Sequence, residues 1–264
     1  MEAEAGGWHA GHGRDARAGA PRRASRLTDA GAAIEEILLY EPHDSPCGLQ
    51  ARICLQLKGV PFRRLGMRFA GLRALGRADA LGELPVLVRG SEVIAGARSI
   101  VHHLEERHPE PGLIPVDAAA RAYVLLLEDW ADDALGVLVG ALRWLDPDNR
   151  SAMQETRGGW LRPLVGRILA RRAWRRYAAA SWTPESLGLV RERVRDGLEL
   201  VSELLDGKPY LLGRTPTLAD VAVFAQLASL TRCRDGRLLA DAPAVDAWVR
   251  RLGAVPPVAA ALSP

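Results

Sequence analysis

Every strand signal in this 264-residue chain falls between residues 36 and 95, and after Pro115 only helical periodicity remains. That order constrains the fold more than any single motif. Ile37-Leu38-Leu39-Tyr40 is a short apolar run of the kind that forms a buried strand. Pro42 ends it, and His43-Asp44-Ser45-Pro46 offers polar caps with a proline close to the first helical position. Over 47–57 the apolar residues Leu49, Ile53, Cys54 and Leu57 recur at three- and four-residue steps, which predicts a helix. Lys58-Gly59 then gives a basic last residue and a terminal glycine. Val60-Pro61-Phe62 opens a second extended stretch running to about Met67. A strand, a helix and a strand in that order make a parallel pair.

Residues 69–82 read as a weak helix or a loop. Glu83-Leu84-Pro85-Val86-Leu87-Val88 and Glu92-Val93-Ile94, joined by Arg89-Gly90-Ser91, read as a β-hairpin. A helix over 98–107 follows, with Ile100, Val101 and Leu104 on one side. A parallel pair and an antiparallel hairpin in one small sheet are the thioredoxin-like topology. Pro109-Glu110-Pro111-Gly112 ends that helix. Residues 118–145 then give one long helical pattern through Leu126, Trp130 and Leu135, and further helices are expected over about 159–178, 184–205, 217–232 and 241–252. The expected organisation is a disordered leader over 1–35, an α+β thioredoxin-like domain over 36–108, a linker over 109–116 and an all-α helical domain over 117–264.

Composition narrows the function classes. The net charge is +3, with 35 basic residues against 32 acidic ones. The dense basic cluster, Arg167, Arg171, Arg172, Arg175 and Arg176, spreads over more than half a helix circumference, so a solvated helix is favoured over a nucleic-acid face. Apolar runs of transmembrane length are absent and the first residues lack an apolar h-region, so neither a membrane partner nor secretion is expected and the location is read as cytoplasmic. Cys47 and Cys54 stand seven apart, which is neither a redox pair nor a zinc spacing, and Cys233 is alone. His102 and His103 are adjacent and diverge by about 100° on a helix. No metal site and no bound cofactor are expected.

Three motifs carry a resemblance to the cytosolic glutathione transferase superfamily over about residues 36–255. Ser45-Pro46-Cys47-Gly48-Leu49-Gln50-Ala51-Arg52-Ile53 looks like that family's catalytic turn and first helix. Leu84-Pro85-Val86-Leu87 is similar to its x-Pro-Val-Leu with a cis proline. Gly213-Arg214-Thr215-Pro216-Thr217-Leu218-Ala219-Asp220 is similar to its capping motif in the helical domain. The resemblance implies a thioredoxin-like N-terminal domain followed by an all-α helical bundle, a homodimer, and glutathione or another small thiol as cosubstrate for a small apolar electrophile. The residue matching Leu84 pairs by backbone with the thiol ligand in that family. Thr217 and Asp220 are read as a structural helix cap.

A transferase must hold its thiol as the anion, although a free thiol has a pKa of about 8.5. A helix start provides unsatisfied N–H groups and the positive end of a dipole. Two mechanisms are open. The Ser45 hydroxyl can stabilise a glutathione thiolate, or Cys47 can form a mixed disulfide with glutathione. Ser45 ranks first, and a plain cap for Ser45 or a packing role for Cys47 stand beside these readings. The family's acidic residue and serine after the hairpin are replaced here by Gly96-Ala97. Their backbone N–H groups, with Arg98, can meet a carboxylate but cannot pair an ammonium. One lost charged hydrogen bond is worth about 1.5–3 kcal/mol. A non-catalytic interaction module with a relic site is therefore the alternative reading. Trp130 and Asp133, on the first long helix, are the expected second-domain residues near the electrophile. Trp144, Trp160, Trp174 and Trp182 lie in or beside a long insertion over 145–185.

Overall fold

Strands β1 (Ile37–Glu41), β2 (Arg63–Gly66), β3 (Val86–Arg89) and β4 (Glu92–Ala95) form one sheet in the order β2-β1-β3-β4. The computed structural model describes residues 35–42, 44–66, 84–155 and 182–263. β1 pairs parallel with β2 and antiparallel with β3, and β3 pairs antiparallel with β4. The parallel pair and the hairpin thus share one sheet, as the sequence predicts. The expected leader, the segment over 69–82, the helix over 159–178 with its arginine cluster, and Trp160 and Trp174 lie outside the described residues.

Helix α1 (Pro46–Leu57) crosses from β1 to β2 and α2 (Ala97–Arg107) follows β4. The helical part contains α3 (Ala118–Asp129), a π-helical segment Trp130–Leu135, α4 (Gly136–Leu145), α5 (Pro147–Glu155), α6 (Leu187–Leu205), α7 (Leu218–Leu230), α8 (Pro243–Gly253) and α9 (Pro256–Leu262). The fold is a thioredoxin-like α+β lobe followed by an all-α lobe. Helices α5 and α9 are additional to the sequence reading. Each begins at a proline, whose missing N–H costs nothing in a first helical turn. At α5, Asp146 Oδ1 accepts from the Asp148 N–H at 2.8 Å and caps the start.

The core is continuous through both lobes, and α1 shows how. Its apolar spacing predicts one buried face. In the structure every residue from Gly48 to Leu55 is buried, because α7 and α9 cover the side of α1 that faces away from the sheet. Gln50 and Arg52 are therefore sealed inside and require polar partners. Helix α7 is buried along its whole length, with Phe224 set edge-on to Trp248 at 6.4 Å between ring centroids. Asp220 anchors its start. One carboxylate oxygen accepts from the Thr217 N–H at 2.9 Å and the other from the Leu211 N–H at 2.9 Å, which closes the expected cap. The long helical pattern over 118–145 is interrupted by the π segment, where the Gly136 N–H reaches back five residues to the Ala131 carbonyl. A Cβ at Gly136 would lie 3.1 Å from both the Ala131 carbonyl oxygen and Gln226 Nε2, so glycine permits the close crossing with α7.

Candidate functional site

The sheet register aligns three of the expected site segments. Tyr40 pairs with Val86, and Val86 pairs with Ala95. The turn after β1, the Leu84-Pro85 pair before β3 and Gly96-Ala97 after β4 therefore emerge at one end of the sheet. Two strand spacings of about 4.8 Å separate the outer two. The Leu84-Pro85 bond is cis, and the Pro85 carbonyl accepts from the Gly96 N–H at 2.9 Å. Gly96 has φ 86, a left-handed value that favours glycine, and it precedes α2 with no side-chain cap. The N–H groups of the first turn of α2 are thus not claimed by a capping side chain.

At the β1–α1 turn, Asp44 sits in the left-handed region with φ 62, which Asp tolerates better than most residues. Ser45 is the N-cap of α1, and its Oγ accepts from the Gly48 N–H at 3.1 Å. Oγ accepts that bond through a lone pair, so the hydroxyl still has its own proton to donate. Cys47, half-buried, is the second residue of the helix. Gly48 is there for space: a Cβ would lie 1.9 Å from Glu41 Oε2. Glu41 is completely buried under the turn and pairs with Arg52 Nε at 2.8 Å and Arg64 Nε at 2.6 Å. Burial pushes its carboxyl up, against the two guanidinium groups that hold it down. Arg52 also donates to the Ala261 carbonyl of α9, so the last helix is tied to α1.

A small pocket opens beside Ser45, with a cavity volume of about 20 Å³, room for one or two waters. Its polar wall is Asp44, Ser45, Arg52, Arg143, Ser229 and Arg232, and Leu49 and Leu262 supply apolar contacts. Arg143 donates to the Asp44 carbonyl oxygen at 2.8 Å, and Arg232 forms an ion pair with the Asp44 carboxylate. Arg52 is lowered first by burial, then by the neighbouring Arg64 and Arg232 charges against the pull of Glu41. Four arginines thus face two carboxylates at the base of α1.

The remaining expected residues lie elsewhere on the lobe interface. Arg98 is exposed and pairs with Asp129 at the end of α3. Trp130 lies against α6, its indole 3.2 Å from where a Gly197 Cβ would stand. Neither it nor Asp133 lines the pocket beside Ser45. The second-lobe residues that do are Arg143, Ala228, Ser229, Arg232 and Leu262. Cys54 is completely buried in the core and burial raises its thiol strongly.

Two family models match the chain: the glutathione S-transferase N-terminal domain over residues 39–112 and the glutathione S-transferase C-terminal domain over residues 170–251. A maleylpyruvate isomerase from Ralstonia sp is 30% identical over 203 residues, covering 74% of this chain and 82% of that protein. The chain belongs to the glutathione S-transferase family. FtsZ-localized protein A from Caulobacter vibrioides is 29% identical, over 74% of this chain and 77% of its own length. Among solved structures, a glutathione transferase family member from Pseudomonas fluorescens pf-5 with two glutathione bound shares the fold at a TM-score of 0.65 and 16% identity, over 88% of this chain and 95% of that one.

The cis Leu84-Pro85 and the capped start of α1 are in place, whereas Gly96-Ala97 carry no side-chain acceptor. The family uses glutathione as cosubstrate. Arg143 and Arg232 are the residues that sequence reasoning missed. They join Ser45 only through the tertiary fold, 99 and 188 positions from Asp44.

Proposed function

We propose that this chain is a glutathione-dependent enzyme that activates the thiol at the start of α1 and delivers it to a small electrophile carrying a carboxylate. The supporting observation is the Ser45 hydroxyl, which accepts from its own helix and can still donate its proton, beside a pocket rich in arginine. In this reading the N–H groups at the start of α1 and the Ser45 O–H stabilise the glutathione thiolate. Its sulfur attacks the electrophilic carbon. A new C–S bond forms, and the displaced electron pair leaves with the departing group or moves onto the neighbouring unsaturated system. A mixed disulfide at Cys47 is the second mechanism, and it ranks behind Ser45.

The arginine wall shifts the electrophile from the apolar class expected from sequence toward an anionic one. Arg232 and Arg143, which also hold Asp44, carry guanidinium forks suited to carboxylates. The Ralstonia relative, named for maleylpyruvate, supports the same choice. At α2, Gly96 and Ala97 would hold the glutathione carboxylate by backbone N–H groups, with Arg98 nearby. We also propose a homodimer in the cytoplasm. Its apolar face would include Tyr123 and Leu126 on α3, which are 38% and 67% exposed. No described helix is long and apolar enough to cross a membrane.

The second reading, a non-catalytic module, draws on Gly96-Ala97 and on the relative named for localisation with FtsZ. Titrating glutathione into the protein by calorimetry separates the two. Binding at millimolar glutathione, weakened in Ser45→Ala, supports the enzyme, and no binding at that concentration rejects it.

A further inference from the structure

Glu128 is completely buried where α1, α2 and α3 meet. Gln50 Nε2 of α1 donates to Glu128 Oε1 at 3.5 Å. Two further oxygens in this pair, Glu128 Oε2 and Gln50 Oε1, are buried with no hydrogen-bond partner among the described residues. His102 Nε2 of α2 stands 3.9 Å from Oε2, beyond hydrogen-bond reach. Each member of the pair thus keeps one buried oxygen without a donor, and a single proton on the carboxyl would supply one.

We propose that Glu128 is a positioning residue for the thiol site: it carries a proton at rest, its O–H donates to Gln50 Oε1 while Gln50 Nε2 donates back, and this two-bond acid–amide pair holds α1 against α3. The proposal rests on the reading of α1 as the helix that activates the thiol. Loss of the proton leaves an acceptor-only carboxylate facing the Gln50 oxygen, and the pair opens.

The surroundings favour the protonated form. Burial is the largest influence and raises the carboxyl to about 7, with Asp132 and Asp129 adding to it and Arg98 opposing. From α1 the site meets Gln50 and the buried Cys54 thiol, from α2 it meets Arg98 and His102, and from α7 Gln226 is engaged by Asp132. The folded pKa lies above the ordinary glutamate value of about 4.5, so the protonated pair stabilises the fold fully below about 4.5 and the benefit is lost as pH rises through about 7.

Glu128→Gln mimics the protonated acid, because its amide both donates and accepts. Thermal unfolding, hydrogen exchange of the first turn of α1 without ligand, and the pH profile of kcat/KM with glutathione are compared in wild type, Glu128→Gln and Glu128→Ala. In the expected result, the Tm of Glu128→Gln gains about 5 °C on that of wild type between pH 5 and 7.5. Its first-turn exchange, corrected for intrinsic rates, also stays flat over that range, whereas wild type loosens. The Glu128→Gln activity profile loses the corresponding alkaline loss, and Glu128→Ala falls below both. A Glu128→Gln protein that keeps the wild-type pH response, or that is as impaired as Glu128→Ala, overturns the proposal. If exchange behaves as expected while glutathione binds none of the three proteins, the pairing stands and the thiol reading fails.

Discussion

Replacing Gly48 by alanine adds one methyl group to α1 at a point where the structure has no space. The new Cβ would lie 1.9 Å from Glu41 Oε2, 3.0 Å from its Cδ and 3.1 Å from its Cβ. Glu41 cannot yield cheaply, since its carboxylate is sealed and held by Arg52 and Arg64. Moving it weakens a buried ion pair, and breaking such a pair costs about 3–5 kcal/mol. Overpacking alone costs about 1–3 kcal/mol. Alanine returns up to about 1 kcal/mol of helix propensity. The net expectation is a loss of about 3 kcal/mol, and a domain of this size loses about 2–4 °C of Tm per kcal/mol. Gly48→Ala should therefore melt about 6–12 °C below wild type by circular dichroism at pH 7. Gly188→Ala is the control: nothing lies within 4 Å of a Cβ there, so its Tm should be unchanged or slightly higher. A Gly48→Ala protein that melts like the control would refute the account of Glu41 beneath the turn.

Other perturbations test other parts of the account. Asp220→Ala strips acceptors from the Thr217 and Leu211 amides inside the core, and should lower stability by about 2–4 kcal/mol in urea unfolding without changing the KM for glutathione. Arg232→Gln should raise KM for a carboxylate-bearing electrophile about tenfold or more, the value of one charged hydrogen bond, and leave an uncharged analogue nearly unaffected; equal effects on both would remove Arg232 from substrate recognition. Light scattering should give twice the monomer mass, and Leu126→Glu should return the protein to monomer if α3 carries the dimer contact.

Local features were readable in the sequence and long-range ones were not. The β1 run, the Ser45 cap, the hairpin around Gly90 and the Thr217–Asp220 box are each set by residues within a few positions of one another, so spacing and capping chemistry reveal them. Periodicity misjudged burial where two lobes enclose one helix. It marks Leu126 as core and gives no reason to bury Glu128, yet Leu126 is 67% exposed and Glu128 is fully buried. The same enclosure buries Gln50 and Arg52 on α1. The arginines beside Ser45 arrive from α4 and from the residues after α7, and no local pattern announces their meeting. Trp130, chosen as an aromatic on the first long helix, packs against Gly197 instead of the pocket beside Ser45. Only the packing of α6 decides that.

The central claim is that the start of α1 holds a thiolate, with the Ser45 hydroxyl as one of its donors. The most direct measurement is the pKa of the glutathione thiol in the complex, followed by thiolate ultraviolet absorbance in wild type and Ser45→Ala. The expected value lies below the free thiol's ~8.5 in wild type and rises by about 1–2 units in Ser45→Ala, the worth of one hydrogen bond to an anion. A bound thiol that titrates like the free one, or a pKa that Ser45→Ala leaves unmoved, would contradict it.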